Sequence, residues 1–236
     1  MNPFRARGSV RTASARALLA ALLTVTGCAP GRPAVVAPVP DAADVADALR
    51  ADTRLQDAVQ VVFGWRANDR GVRASGRGAA RVAPPARARL DLFLDNGETA
   101  LRAALVESQI RLPAGAPEDV LPPPDLLWAA LGVVHPGPDA AFAGGDRLED
   151  GSVRLRYRYP DGTELHYQVL DDVLTRVDVL RGGRIVEEVE LVLAAGERFP
   201  TEATYRHRTD FRELHLVRES METVSSFPDD IWTPTR

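Results

Sequence analysis

The sequence is poor in the residues from which most catalytic and metal sites are built. It contains no lysine, one cysteine and four histidines among 236 residues. A single cysteine cannot form an internal disulfide, nor supply the paired thiolates of a zinc ribbon or an iron–sulfur site. No His-x-x-x-His, His-Glu-x-x-His, Cys-x-x-Cys, Gly-x-Ser-x-Gly, Ser-x-x-Lys or P-loop pattern occurs. We therefore expect no metal site, no cofactor and no catalytic residue, and we predict that the chain is not an enzyme.

Long apolar runs are also missing. The apolar run over residues 17–26 has about ten residues, whereas a membrane-spanning helix needs roughly twenty. It follows four arginines with no acidic residue among them, which is the outline of a signal peptide. The segment Val25-Thr26-Gly27-Cys28 resembles the bacterial lipobox. That resemblance implies a lipoprotein signal peptide over residues 1–27, removed on maturation, and acyl chains on Cys28 that attach the protein to a membrane.

The next segment, residues 28–40, is predicted to be the lipidated cysteine followed by a tether. Its prolines favour extended, polyproline-like backbone. Removal of residues 1–27 leaves 25 arginines against 33 acidic residues, a formal charge of −8, which repels nucleic acid. No nucleic-acid partner is expected. Ala29, not Asp, follows the cysteine, and by analogy with enteric bacteria this favours the outer membrane, facing the periplasm.

Residues 41–236 are predicted to form one mainly β domain. Apolar residues at helical spacing indicate one amphipathic helix over residues 41–59, with Asp41 as its N-cap. From residue 60 the apolar period changes to two. Turn residues such as Asn96-Gly97, Asp161-Gly162 and Gly182-Gly183 separate the runs, which indicates an antiparallel meander, with a type I′ turn at Asn96-Gly97. The expected strands lie near 60–67, 71–82, 87–95, 99–106, 108–112, 140–148, 152–159, 163–171, 173–181, 184–193, 200–207 and 213–222.

A second helix interrupts the predicted strands. Residues 121–132 lead from three prolines into an apolar stretch, with Asp125 as the expected N-cap and Gly132 at the end. Its apolar residues surround most of the helix, so it should be buried on several sides. Either it plugs the open end or concave face of a curved sheet, or it packs on the outer face. The sequence leaves both arrangements open.

Alternation along the strands predicts a sheet with one apolar and one charged face. Two helices are few for so many strands, so the sheet should curl into an unclosed β-barrel with an apolar interior. On the outer face, Arg154, Arg156 and Arg158 are expected to be balanced by Glu188 and Glu190, and the alternative is that they bind an anion such as a lipid phosphate. A cavity that binds a hydrophobic ligand and a filled core are both compatible with this pattern. The candidate ligand-binding residues are Leu90, Leu92, Leu94, Leu101, Leu105, Trp128, Val153, Leu155, Tyr157, Leu165, Tyr167 and Val169.

The whole arrangement resembles a known superfamily. A lipobox, a tether, one helix, about eleven strands broken by a proline-led helix, and the closing segment 227–234 together resemble the LolA/LolB-like carriers and receptors of envelope lipoproteins. Loose motifs add to this at 63–66 (Phe-Gly-Trp-Arg), 75–78 (Ser-Gly-Arg-Gly) and 199–200 (Phe-Pro). The resemblance covers residues 41–236 and implies an unclosed β-barrel, covered by short helices, that binds acyl chains.

The resemblance also implies a function. As a membrane-attached member, the chain is more similar to the receptor branch, although the turn at 95–98 is polar where receptors expose a leucine. We expect an envelope lipoprotein that binds acyl chains of lipid or lipoprotein during transport or localisation. Its partners would be the membrane, through Cys28, the hydrophobic ligand and other envelope proteins. The alternative is a structural or accessory lipoprotein with a filled core that acts through protein partners. A hydrolytic enzyme would require histidines or carboxylates that converge in the same pocket.

Overall fold

The computed structural model describes residues 32–116, 121–197 and 199–234, and the strands in these ranges form one antiparallel sheet. Across the sheet their order is β1-β7-β8-β9-β10-β11-β12-β13-β2-β3-β4-β5-β6. The first and last of these do not pair with each other in the described ranges, so the barrel is unclosed. The strands are β1 (Val35–Pro38), β2 (Ala58–Asp69), β3 (Val72–Ala83), β4 (Arg87–Leu94), β5 (Thr99–Val106), β6 (Gln109–Arg111), β7 (Ala141–Leu148), β8 (Val153–Arg158), β9 (Glu164–Leu170), β10 (Val173–Arg181), β11 (Arg184–Val192), β12 (Glu202–His207) and β13 (Arg212–Val224).

The mainly β, unclosed-barrel prediction is confirmed, and every predicted strand is present. The sheet has one strand more than the sequence indicates, because residues 35–38 of the expected tether form β1. Val35 pairs with Leu148, and Pro38 with Asp146. The tether prediction is therefore wrong for these four residues. Extended backbone suits both a tether and a strand, and proline is tolerated here because β1 is an edge strand.

Two α-helices are present in the described ranges, α1 (Ala42–Asp52) and α2 (Pro124–Ala130). The first ends before the predicted limit at residue 59, since β2 already begins at Ala58. In the second, Pro123 occupies the N-cap position, and Asp125, the expected cap, makes no capping hydrogen bond. Gly132 ends this helix as predicted: its φ is 75°, and its N–H donates to Ala129 O at 2.8 Å.

Both helices cover the apolar face of the sheet, which we call the inner face. From α2, Leu126 and Ala129 pack with α1 and the β8–β12 side of the sheet. Leu127 and Trp128 pack with the β2–β5 side. Helix α2 therefore packs between the two halves of the core. Of the two arrangements that the sequence left open, the structure has the helix on the concave, inner face and not on the outer face.

The turn chemistry differs in one detail from the prediction. At 94–98, Leu94 N–H donates to Glu98 O and Gly97 N–H donates to Leu94 O, both at 2.8 Å, and only Gly97 has a positive φ. That is the pattern of a type I turn followed by a glycine bulge. A type I′ turn needs positive φ at both central residues, as at Gly182-Gly183. The type I′ prediction is wrong, although the hairpin itself is present.

Charges on the outer face pair differently from the prediction. Arg154 and Arg156 contact Asp146 at 2.8 and 3.2 Å, and Arg158 contacts Glu164 at 2.7 Å. Glu188 and Glu190 do not balance these arginines, because their strand, β11, lies three positions from β8 in the sheet. Ion pairs form between side chains on strands that are adjacent in the sheet, and β8 and β11 are not adjacent.

The closing segment lies on the outer face as well. A short 3-10 helix, Asp229–Trp232, places the Trp232 ring against Ala58 and Ala83, with Arg87 Cζ 5.0 Å from the ring centroid. Arg89 Nη1 donates to Ile231 O at 2.9 Å. In the ranges that the structure describes, no helix is long and apolar enough to cross a bilayer. The predicted signal peptide and Cys28 lie outside those ranges.

Candidate hydrophobic binding site

An apolar cavity of about 230 Å³ opens on the inner face. It lies at the end of the sheet that carries the β2–β3 and β12–β13 turns, which we call the far end. Strands β2, β4, β5, β12 and β13 and the segment before α2 supply most of its wall. The lining residues are Trp65, Ala67, Asn68, Asp69, Ala74, Leu92, Ala100, Leu101, Leu121, Pro122, Tyr205, Arg212, Glu213 and Leu214.

Two loose motifs of the sequence meet beside this cavity, and Trp65 from one of them lines it. Phe63 pairs with Gly78 and Trp65 with Gly76, and the Phe63 ring lies against Gly78 on β3. A Cβ at Gly76 would lie 1.9 Å from Phe93 O, and one at Gly78 would lie 2.6 Å from the Phe63 ring. Gly76 therefore permits the close approach of the β4 backbone, and Gly78 permits that of the Phe63 ring. Trp65 Nε1 donates to Arg77 O at 3.1 Å and to Phe93 O at 3.2 Å, which fixes the indole.

The structure places the predicted ligand-binding residues in different parts of the inner face. Leu92 and Leu101 line the cavity, and Leu90 lines a smaller void of about 50 Å³. Leu94 and Val153 are half-buried against the core. The others are buried among the helices and strands of the packed core: Leu105, Trp128, Leu155, Tyr157, Leu165, Tyr167 and Val169.

Twelve of the fourteen lining residues were missed by the sequence analysis, and four of these have large apolar or aromatic side chains, namely Trp65, Leu121, Tyr205 and Leu214. A signal for three of them existed. Leu214 pairs with Tyr205 on one side and with Ala67 on the other, so the alternation that identified Leu92 extends to β2, β12 and β13. Leu121 carries no such signal, because its place depends on how the chain returns to α2.

Solved structures share this architecture. A LolA superfamily protein from Nitrosomonas europaea matches with a TM-score of 0.53 and 12% identity, over 82% of this chain and 97% of that chain. A domain assigned to outer membrane lipoprotein sorting, from Vibrio parahaemolyticus, matches with 0.53 and 6%, over 80% and 94%. A DUF1329 family protein from Desulfovibrio piger matches with 0.51 and 12%, over 84% and 98%. The chain has a LolA-like fold.

The likeness of the LolA-like domain to these structures is one of fold, since the identities are 6–12%. Its sequence matches no protein-family model and no curated protein. What the domain binds must therefore be argued from its own residues.

A polar cluster adjoins the cavity of the LolA-like domain. The Tyr205 hydroxyl donates to Glu187 Oε2 at 2.9 Å, and Glu187 is 3% exposed. Burial, together with the nearby carboxylate, raises the pKa of Tyr205 far above its ordinary value, so the phenol stays neutral. His207 Nε2 lies 3.9 Å from Glu187 Oε1, and its Nδ1 accepts the N–H of Asp210 at 3.1 Å. The cavity thus combines a mainly apolar wall with hydrogen-bonding groups beside it.

A second buried polar group in the LolA-like domain has a structural role. The Tyr159 hydroxyl donates to Asp125 Oδ2 and accepts the N–H of Gly137 at 3.1 Å, which joins α2 to the end of β8. Burial raises the pKa of the Asp125 carboxyl. None of these residues lines the cavity. Within the described ranges, no group of three or more His, Cys, Asp or Glu side chains is placed to hold a metal ion.

Proposed function

We propose that this protein is a membrane-anchored envelope lipoprotein whose LolA-like domain binds an acyl chain, in the transport or localisation of lipid or lipoprotein. The apolar cavity at the far end of the inner face is the observation that carries this proposal. The likeness in fold to a domain assigned to outer membrane lipoprotein sorting supports it. Alkyl and aromatic side chains make up most of the cavity wall, which suits an acyl chain, while Asp69, Arg212 and Glu213 are the charged residues among those that line it.

The cavity volume limits what can be bound. An apolar cavity of about 150 Å³ holds one benzene molecule, or roughly 25 Å³ per carbon. At that ratio the 230 Å³ cavity accommodates about nine carbons. This is smaller than the roughly 300–1,000 Å³ of typical small-molecule pockets. We infer that one acyl chain, or part of one, enters at a time.

The membrane anchor is a separate part of the proposal. We infer that Cys28 is acylated after removal of residues 1–27, and that the mature protein is held on the outer membrane, facing the periplasm. Labelling of cells with a palmitate analogue tests this. The full-length protein should take up label and sediment with membranes, while Cys28→Ser should do neither. Equal sedimentation of both proteins would contradict the anchor.

Ligand binding is tested by native mass spectrometry, with lipid extraction, on the chain from Pro33 to Arg236. All the strands and helices described above, and their core clusters, lie within this chain. Ala67→Leu adds three carbons to the cavity wall and should reduce co-purifying lipid at least tenfold. Ala79→Leu adds the same group to the outer face of β3 and should leave lipid unchanged. Lipid that is retained in full by a folded Ala67→Leu variant would refute the cavity as the binding site.

The filled-core alternative remains the second candidate, and two observations favour it. Most of the predicted ligand-binding residues are packed beneath the helices. In addition, Phe211 and Val72 are 78% and 74% exposed on neighbouring turns, where Arg70 N–H donates to Phe211 O at 3.2 Å. Such exposed apolar tips suit contact with a protein partner. An unliganded mass that is unchanged by added lipid would favour this structural or accessory role.

A further inference from the structure

We propose that the outer face of the sheet holds a second site, which binds a phosphate-type oxyanion between Arg66 and Arg73. The far end carries a polar, open cleft of about 790 Å³ on that face. Side chains from β2, β3, β12 and β13 line it. This site does not depend on the proposed acyl-chain binding, because the two arginines point away from the inner cavity.

Strand register brings the donor groups of this site together. Arg66 pairs with Ser75, and Asn68 pairs with Arg73, on the adjacent strands β2 and β3. Alternation places all four side chains on the outer face, so the two arginines are diagonal neighbours. Diagonal Cβ atoms on one sheet face are about 7–8 Å apart, a span that two long guanidinium side chains can close around one anion. Arginine forks match the oxygen geometry of phosphate with paired hydrogen bonds.

The two guanidinium groups lack carboxylate partners within the described ranges. Arg73 makes no ion pair or hydrogen bond there, and Arg66 Nη2 lies 3.5 Å from His215 Nδ1, whose ring contacts Glu202 through Nε2 at 3.2 Å. Most of the outer-face arginines near them are paired. Because their charges are not yet balanced by the protein, a bound anion would gain both interactions without first breaking a salt bridge.

The other charges of the cleft are already engaged. Arg206 contacts Glu190 and Glu213, with its Nε 3.0 Å from Glu213 Oε2. Asp95 Oδ2 accepts the Ser75 hydroxyl at 2.7 Å. The lining carries three arginines and two carboxylates, and Glu190, outside the lining, also contacts Arg206, so the positive charge that an anion would meet is that of Arg66 and Arg73. Local charge of this sign attracts anions, and salt should weaken the attraction because the cleft is open to solvent.

The cleft and the inner cavity meet at the same end of the sheet. Ala67, Asn68, Ala74 and Glu213 line both. An amphiphile that passes around the far end could place its chain in the cavity and its phosphate in the cleft. Free phosphate would occupy the cleft alone. A lipid head group and inorganic phosphate are thus two sources of the same chemistry.

Calorimetric titration of the chain from Pro33 to Arg236 with inorganic phosphate at low salt tests the site. The double variant Arg66→Gln/Arg73→Gln should weaken binding at least tenfold, whereas Arg184→Gln, an exposed arginine outside the cleft, should change it less than twofold. Thermal unfolding should show that all three proteins are folded. Absence of binding at millimolar phosphate, or equal weakening in the control, would overturn the proposal.

A second titration, with a short-chain phosphatidic acid below its micelle concentration, distinguishes the sources. If the head group is the natural ligand, this lipid should bind more tightly than phosphate, and both the double variant and Ala67→Leu should weaken it. If free phosphate is the ligand, the two probes should bind equally and Ala67→Leu should have no effect. Lipid binding that needs Ala67 but neither arginine would refute the oxyanion site and leave the acyl-chain proposal standing.

Discussion

Glu188 and Glu190 provide a matched test of how burial sets the strength of an ion pair. Both lie on the outer face of β11, two residues apart, and both contact Arg176 and Arg206. They differ in exposure, since the Glu188 side chain is 0% exposed and the Glu190 side chain 41%. Glu188 also accepts from Arg208 Nη2, at 2.8 and 2.9 Å. Substitution of each by glutamine keeps the shape and removes the charge.

Glu188→Gln should destabilise the domain by about 2–3 kcal/mol. Removal of one partner from a buried pair costs roughly 3–5 kcal/mol, because the other charge is left without compensation. We take less than that range because Arg206 and Arg208 are 38% and 51% exposed, so water screens two of the three arginines. Glu190→Gln should cost less than about 1 kcal/mol, as is usual for an exposed pair.

Urea unfolding, followed by the fluorescence of the buried tryptophans, measures both changes. A loss of about 2–3 kcal/mol corresponds to a fall in melting temperature of roughly 4–12 °C for a domain of this size. Added salt should shrink the Glu190→Gln effect more than the Glu188→Gln effect, since screening acts on exposed charges. Equal losses in the two variants, or a larger loss for Glu190→Gln, would show that burial does not set the difference.

Three further outcomes are expected. Gly78→Ala should lower the free energy of unfolding in urea by about 1–3 kcal/mol, because its Cβ would lie 2.6 Å from the Phe63 ring. In the control variant Gly64→Ala the nearest contact would be at 3.6 Å, so stability should change by less than about 0.5 kcal/mol. Equal effects of the two substitutions would contradict this. Burial raises the pKa of Asp125 above that of the unfolded chain, so stability relative to Asp125→Asn should fall as pH rises from about 4 to 7, and parallel melting curves would oppose it. Burial lowers the pKa of His166, so on acidification the unfolded chain binds a proton more readily than the folded chain. The melting temperature should therefore fall as the pH is lowered below about 6.5. His166→Gln should make that fall smaller.

Local patterns account for the parts of the fold that could be predicted. Alternation of apolar and polar residues and the turn residues between runs are properties of short segments, and each predicted strand is found. The edge strand β1 was missed because its stability depends on pairing with β7, more than a hundred residues away. For the same reason the partners of Arg154 were assigned to the wrong strand: ion pairs follow the order of strands in space.

The candidate site could be predicted only in part. The alternation of apolar and polar residues along the strands identified Leu92 and Leu101 as inner-face residues, and they line the cavity. The same alternation identified Leu155 and Tyr167, which also lie on the inner face but are 0% exposed in the packed core. The pattern along a strand states which face a residue is on. It does not state which stretch of that face a helix covers.

The strands, the hairpins and the charged and apolar faces follow from the sequence pattern, because backbone propensity and alternation act between residues that are close along the chain. Only the fold settles where the inner face stays open, which glycine lies beneath Phe63, and which arginines of the described ranges have no carboxylate partner there. These features arise from contacts between distant segments, chiefly the positions of α1 and α2. Closely packed side chains leave little free volume, so where the helices lie decides where a cavity remains.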